Sequence, residues 1–489
     1  MNVKNIIKNI ASNPSAFLFR NAGTKQTIAK NTFWLAVAEG ITRFLKLFLI
    51  IYVARILGAT EYGKFTFALA FVSLFAIFSD FGLSPIVTRE FAREKEKEKN
   101  FPALISLKLL LGIGTLFLIS IGSFFITIEP EIRGIIWILG AYIIMRGFTA
   151  IIFAFFRARQ RMEYESWAGI LQALIVTGAG FFVLFNFPSV QNLSLAYLFA
   201  ASIALIFILL FFHLKVFPLH LTFNRSVWKS YFAMSWPLAL AGIFGTIYSQ
   251  TDSVMMGYLG QITQTGWYNA AYKVIGVAMI PAGLIGASFY PVLSKFFRES
   301  KEKLQNAWNH YTQVIIFIVV PLVIGGIALA PRIIDFIYDP SYFPSILAFQ
   351  ILLVTGGIII LTAPLSNALV ISNQQKKLFW VTLSGAILNI GLNLILIPKY
   401  SLYGAAFTTV ITLFLIFFLL VRMTLKLTPI KPFNSRIFLT FFISLISGLS
   451  MYFVISSPKI YNLNVFLSVI TGALIYSFIF FICKKIIKF

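Results

Sequence analysis

Leu193 to Phe212 reads LSLAYLFAASIALIFILLFF, twenty residues without a single charge. A helix rises about 1.5 Å per residue, so this stretch covers the roughly 30 Å hydrocarbon core of a bilayer, and unpaired backbone in lipid forbids an open strand there. It reads as a membrane-spanning helix. Working outward, the same reading holds at 32–54, 65–88, 101–125, 134–156 and 166–186 before it. After it come 233–257, 267–291, 311–331, 345–371, 378–397, 402–421, 437–456 and 463–482. The expected fold is all-α and polytopic, with about 14 transmembrane helices. Composition agrees: 59% of the 489 residues are hydrophobic and 11% charged, with a mean hydropathy of +0.88, against about 25% charged in soluble domains. A soluble globular enzyme is excluded. Cys483 is the one cysteine, so no internal disulfide framework exists, and with three His no thiolate or imidazole zinc cluster is built.

The net charge of +24 would suggest nucleic acid in a soluble chain, but in a membrane chain it marks loops facing anionic headgroups on the cytoplasmic side. Of the 40 Lys and Arg, 29 fall in the leader and the loops on its side, whereas 6 fall in the alternate loops. Both termini are therefore expected in the cytoplasm, the protein being multi-pass in the cytoplasmic (inner) membrane. The organisation expected is a cytoplasmic leader (1–31), an N-lobe of six helices (32–212), an inter-lobe linker (213–232), a C-lobe of six helices (233–421), and two further helices with a cytoplasmic tail (422–489). The linker is basic and part aromatic, as a helix lying along the membrane would be. A loose repeat supports two lobes. Leu57-Gly58, Gly63, an apolar span and Arg93 to Lys97 recur as Leu259-Gly260, Gly266, an apolar span and Arg298 to Lys303. Six helices per lobe give both copies one orientation and a central site between them.

Two motifs of soluble enzymes fail on context. Gly58 to Lys64 has the glycine and lysine spacing of a phosphate-binding loop, but Phe65 stands where Ser or Thr must hold magnesium, and no strand precedes it. Asp80-Phe81-Gly82 spells the kinase magnesium triplet, without an H-R-D loop anywhere in the chain.

Charges inside the spans carry more information, because each costs about 2.5–3.5 kcal/mol on insertion scales and so faces a cavity or a partner. Glu39, Arg43 and Lys46, spaced by four and three, share one face of the first span. Arg146 lies near mid-depth in the fourth, while Asp252 and Lys273 occupy matching depths in the seventh and eighth. Arg43 and Arg146 line a polar cavity in one reading; in the other, Glu39–Arg43 and Asp252–Lys273 are structural ion pairs. Asp80 and Lys108, nearer span ends, snorkel or cap. Asn389 and Asn393, one turn apart, serve either as packing glue or as polar lining. Pro237, Pro281, Pro321 and Pro364 are hinge positions.

Several stretches resemble a known family. Ala54-Arg55-Ile56-Leu57-Gly58-Ala59-Thr60-Glu61-Tyr62-Gly63, followed by Ser79-Asp80-Phe81-Gly82-Leu83, is similar to the opening helices of Wzx-type oligosaccharide flippases, the polysaccharide biosynthesis transporters. Gly326 to Ile334, Leu392 to Tyr400 and Tyr403-Gly404-Ala405-Ala406 resemble that family's C-terminal half. The resemblance covers nearly the whole chain and places it in the multidrug/oligosaccharidyl-lipid/polysaccharide (MOP) exporter superfamily, MATE-like in its two six-helix lobes.

That resemblance implies a non-enzymatic flippase that moves a polyprenyl-diphosphate-linked oligosaccharide, a polysaccharide repeat unit of the O-antigen kind, between leaflets by alternating access. Arg43, Arg146, Lys46 and Lys273 are then the diphosphate-binding residues, since guanidinium groups donate in pairs to phosphate at any working pH. Glu39, Asp80 and Asp252 are the ion-coupling candidates, with Asn389 and Asn393 as polar lining. No metal and no cofactor is expected beyond a coupled proton or sodium ion. The expected partners are the lipid-linked oligosaccharide, membrane lipids, a polysaccharide polymerase and glycosyltransferases, with neither nucleic acid nor ATP. A lipid II flippase and a multidrug exporter of the same superfamily are the alternatives.

Overall fold

A computed structural model describes residues 19, 21, 23–461 and 463–486. Among these no strand occurs. The helices are α1 (Thr24–Asp80), α2 (Leu83–Arg93), α3 (Phe101–Ile126), α4 (Pro130–Ala158), α5 (Met162–Asn186), α6 (Val190–Lys215), α7 (Arg225–Tyr258) and α8 (Ile262–Ala278). They continue as α9 (Ile280–Glu299), α10 (Lys301–Ile337), α11 (Ser345–Ile371), α12 (Gln375–Leu427), α13 (Ser435–Ile455), the short α14 (Pro458–Tyr461) and α15 (Val465–Ile486).

Twelve helices among the described residues are long and apolar enough to cross a bilayer, so the chain is a multi-pass membrane protein. The fourteen segments read from sequence map onto them with two adjustments. First, α1 and α12 each carry two segments, separated where the backbone leaves helical geometry at Gly58 (φ 76°, ψ 172°) and Ser401 (φ 53°, ψ −131°). The two arms of α12 fold back on each other: a Cβ on Gly404 would collide with the Leu396 backbone, and Gly385 packs under Ile416. Second, the segment at 267–291 is divided between α8 and α9 at Met279. Pro281 sits in the first turn of α9, where its missing N–H costs nothing.

The chain divides into two compact units, Met1–Gln250 and Thr251–Phe489. The division falls inside α7. The linker at 213–232 forms no helix of its own: α6 ends at Lys215, residues 217–224 are irregular, and α7 begins at Arg225. Asn224 Oδ1 accepts the N–H groups of Ser226 (3.1 Å) and Val227 (3.2 Å) and so starts α7, as a side-chain cap does.

The first unit is centred on α2, α3, α4 and α6, where Phe91, Phe101, Phe155 and Phe212 interlock. Its joint with the opening turns of α7 is the Asp80-Phe81-Gly82 stretch. Phe81 and Gly82 adopt left-handed backbone (φ 48° and 72°). Phe81 stacks on Phe232 at 4.2 Å between centroids, and a Cβ on Gly82 would stand 2.8 Å from the Ser235 carbonyl oxygen. Only glycine meets both demands. Trp228 Nε1 donates to the Ala103 carbonyl at 2.8 Å, closing the same joint. Of the expected leader, residues 1–18 lie outside the described residues. Lys30, at its end, is inside α1 and fully buried, with Nζ 2.7 Å from Glu163 Oε2.

In the second unit Trp308, Leu369, Val381, Ile437, Met451, Tyr476 and Phe480 share one core. The last two spanning helices are packed into it. Gly448 of α13 lets Ile324 and Val320 of α10 approach, and Arg332 Nη1 donates to Ser468 Oγ of α15 at 2.9 Å.

Candidate anion face and buried acid site

The structure brings the first-unit candidates together. Glu39, Arg43 and Lys46 lie on α1 and Arg146 on α4, all four exposed, and Lys46 is within electrostatic reach of Arg146, Glu39 and Arg43. Arg43 Nε donates to Glu39 Oε1 at 2.5 Å, the two side chains being 57% and 60% exposed. So the Glu39–Arg43 pair exists, on an open face rather than in a closed core. Arg146 has no acidic partner among the described residues. Its guanidinium carbon lies 5.9 Å above the Tyr142 ring, and Tyr197 packs edge-on to Tyr142 at 5.5 Å. Lys46 makes no ion pair among the described residues either. Three cations thus share one face with a single acid, and at span depth such a face cannot meet lipid. It suits an anion carrying more than one charge.

Asp80 does not join this face. Its Oδ1 lies 2.5 Å from Lys108 Nζ, with the Lys108 side chain 1% exposed, and it accepts from Ser84 Oγ (2.6 Å) and Ser84 N (3.3 Å). The carboxylate caps α2 and holds a buried cation. Lys108 therefore does not snorkel: its headgroup is fixed from another helix.

In the second unit the pairing weighed for Asp252 and Lys273 is not made. Asp252 is buried, and its oxygens accept from Tyr268 Oη at 2.5 Å, Asn393 Nδ2 at 2.6 Å and Thr409 Oγ1 at 3.2 Å. Tyr268 and Lys273 are five residues apart on α8, which turns them to different faces. The tyrosine takes the carboxylate and Lys273 is left exposed. Asn393 Nδ2 also donates to Asn389 Oδ1 at 3.1 Å, so the two asparagines act as one ladder. Asn393 Oδ1 is buried without a hydrogen-bond partner. Carboxylate, amide, hydroxyl and phenol oxygens from α7, α8 and both arms of α12 converge here. This set of hard oxygens with one formal negative charge suits a proton or a small monovalent cation. Sequence reading missed Tyr268 and Thr409. The available signal for Thr409 was the polar run Thr408, Thr409 and Thr412 in an apolar span; Tyr268 carried none.

Comparison with known proteins adds the following. Residues 28–297, more than half of the chain, match the family described as "Polysaccharide biosynthesis protein". An uncharacterised membrane protein of Methanocaldococcus jannaschii is 24% identical over 446 residues, covering 83% of this chain and 86% of the relative. The probable low-salt glycan biosynthesis flippase Agl15 of Haloferax volcanii is 21% identical over 392 residues, covering 79% and 81%. Among solved structures, the lipid II flippase MurJ in its inward closed conformation has the same fold. The TM-score is 0.75 at 16% identity, covering 92% of this chain and 98% of that one.

Proposed function

The chain belongs to the polysaccharide biosynthesis protein family, and from that premise we propose that it translocates a polyprenyl-diphosphate-linked oligosaccharide across the cytoplasmic membrane by alternating access. The observation that carries the reading is the exposed face holding Lys46 and Arg146 without an acid on either. A diphosphate brings the missing negative charge. Arg146 donates a planar fork to one phosphate and Lys46 a point charge to the other, while Arg43, half satisfied by Glu39, is the weaker third contact. The face is open, so headgroup and sugars stay hydrated as they pass, and the polyprenyl tail remains in lipid. An exporter of cationic drugs would expose an excess of acids at this depth, and here three of the four exposed charges are cations.

The buried Asp252 site is the proposed coupling element. A proton or sodium ion entering it replaces hydrogen bonds now donated by Tyr268 and Asn393, loosening α7 from α8 and from the first arm of α12. Both termini are cytoplasmic in this reading, by the bias of basic residues. No ATP and no further cofactor is required, and no bond is made or broken in the substrate. The polymerase and glycosyltransferases that use the same lipid-linked units are its natural neighbours.

The test is flipping of a fluorescent polyprenyl-diphosphate sugar in proteoliposomes. Arg146→Ala lowers the rate by about a hundredfold, as expected for loss of a charge-assisted fork, and Lys46→Ala lowers it by a smaller factor. Full activity in both variants, at unchanged protein level, overturns the headgroup assignment.

A further inference from the structure

The two units handle their basic residues differently at the end where each carries most of them. In the first unit several of the cations are matched internally. Arg157 grips Glu165 (2.5 Å), Arg159 grips Glu98 (2.7 Å), Lys97 reaches Glu90 (2.6 Å), and Lys30 is buried on Glu163 (2.7 Å).

In the second unit three connections meet in one layer: the α9–α10 junction at Ser300, the α11–α12 turn at 372–374, and the α12–α13 connection at 428–434. Gln305 of α10 holds the Lys431 backbone at both N–H (2.8 Å) and C=O (2.9 Å). Asn434 Nδ2 donates to Asn309 Oδ1 at 2.7 Å. Leu304, Trp308, Leu369, Val381, Ile430 and Ile437 form the common core beneath. That layer displays Lys301, Lys303, Lys376, Lys377, Lys431 and Arg436, all exposed. The acids there are Glu299 and Glu302. Among the described residues Lys303 alone of the six has an ion pair, a loose 3.7 Å contact with Glu299. A layer in which six cations face two acids draws its remaining counter-charges from outside the chain.

We propose that this layer is a binding surface for anionic phospholipid headgroups. Its position sets the occupant. Lys376 and Lys377 stand just before the apolar run at 378–397, and Arg436 just before that at 437–456, so the charges lie where apolar helix gives way to headgroups. Trp380 (61% exposed) and Phe433 (42%) flank them, as aromatic side chains do at the membrane interface. Lysine and arginine at this depth attract anionic lipids individually and add up over a cluster. The inference is independent of the diphosphate assignment in the first unit.

The experiment is native mass spectrometry of the full chain, counting phosphatidylglycerol retained against phosphatidylcholine from equimolar micelles. The unaltered protein retains the anionic lipid by about tenfold, the order expected for several basic residues acting together. Lys301→Gln, Lys303→Gln, Lys431→Gln and Arg436→Gln combined bring the ratio close to one. The same four positions with charge kept (three Lys→Arg and Arg436→Lys) retain it, and Arg93→Gln with Lys95→Gln in the first unit leaves it unchanged. No preference in the unaltered chain, a preference surviving the four glutamines, or its loss in the charge-conserving variant each overturns the proposal. The first of these results is also the one expected if an acidic protein, rather than lipid, covers the layer.

Discussion

The open face of the first unit and the buried acid of the second are opposite solutions to one problem, charge at membrane depth. Around Arg43, Lys46 and Arg146 the charges are exposed and outnumber their one acid. Around Asp252 a single carboxylate is enclosed by neutral donors from α8 and both arms of α12. An exposed cluster keeps its charges hydrated and has free valences for a large, exchanging anion. An enclosed carboxylate has its hydrogen bonds filled, so a small ion entering must displace a donor and move the helix carrying it. Charge excess suits cargo, and enclosure suits a switch.

The contrast can be broken at several points. The largest effect is expected where the first unit does enclose a charge. Asp80→Ala strands buried Lys108 and costs about 3–5 kcal/mol in reversible detergent unfolding, and adding Lys108→Met recovers most of it. A loss under about 1 kcal/mol would show that Lys108 reaches water and that this pair is not enclosed. Next, Asp252→Ala leaves the Tyr268 and Asn393 donors without an acceptor and costs about 2–3 kcal/mol, against about 1 kcal/mol for Thr409→Val, whose bond is longer. Asp252→Asn should keep the fold while transport loses its dependence on an imposed cation gradient, measured in proteoliposomes. Arg146→Lys keeps charge but loses the fork, so flipping falls about tenfold, with a much smaller change for Arg43→Lys. Equal tolerance of both would reduce the face to a generic positive field. Smallest of all, Glu39→Gln removes an exposed pair and shifts unfolding by about 0.3–0.5 kcal/mol. A shift above 1 kcal/mol would mean that this pair is enclosed after all.

Spanning helices were legible because each is a local property: a run such as Leu193 to Phe212 declares itself without reference to the rest of the chain. The Glu39–Arg43 pair and the Asn389–Asn393 ladder were legible for the same reason, a spacing of one helical turn. What could not be read are partners distant in sequence. Tyr268 and Thr409 lie 16 and 157 residues from Asp252, and no periodicity links them, so the only partner that sequence offers to weigh for the carboxylate is the nearest cation, Lys273. Lys108 failed similarly, its acid being 28 residues back on another helix. The reversal in α12 was hidden by its own residue type: Ser401 takes a positive φ that sequence reading reserves for glycine or asparagine.

The course of α7 has a consequence for how the gene can be cut. A break at the compact-unit boundary, Gln250 to Thr251, would sever a continuous helix one residue before Asp252, and neither fragment would keep that carboxylate in place. A break in the irregular stretch 217–224 leaves the helix whole on the downstream fragment. That fragment then carries a built-in handle, Trp228, Phe232 and Ser235, shaped to seat on Ala103, Phe81 and Gly82 of the other. Co-expressed from two reading frames, the pieces should find each other and restore transport, whereas the pair cut at the unit boundary should not.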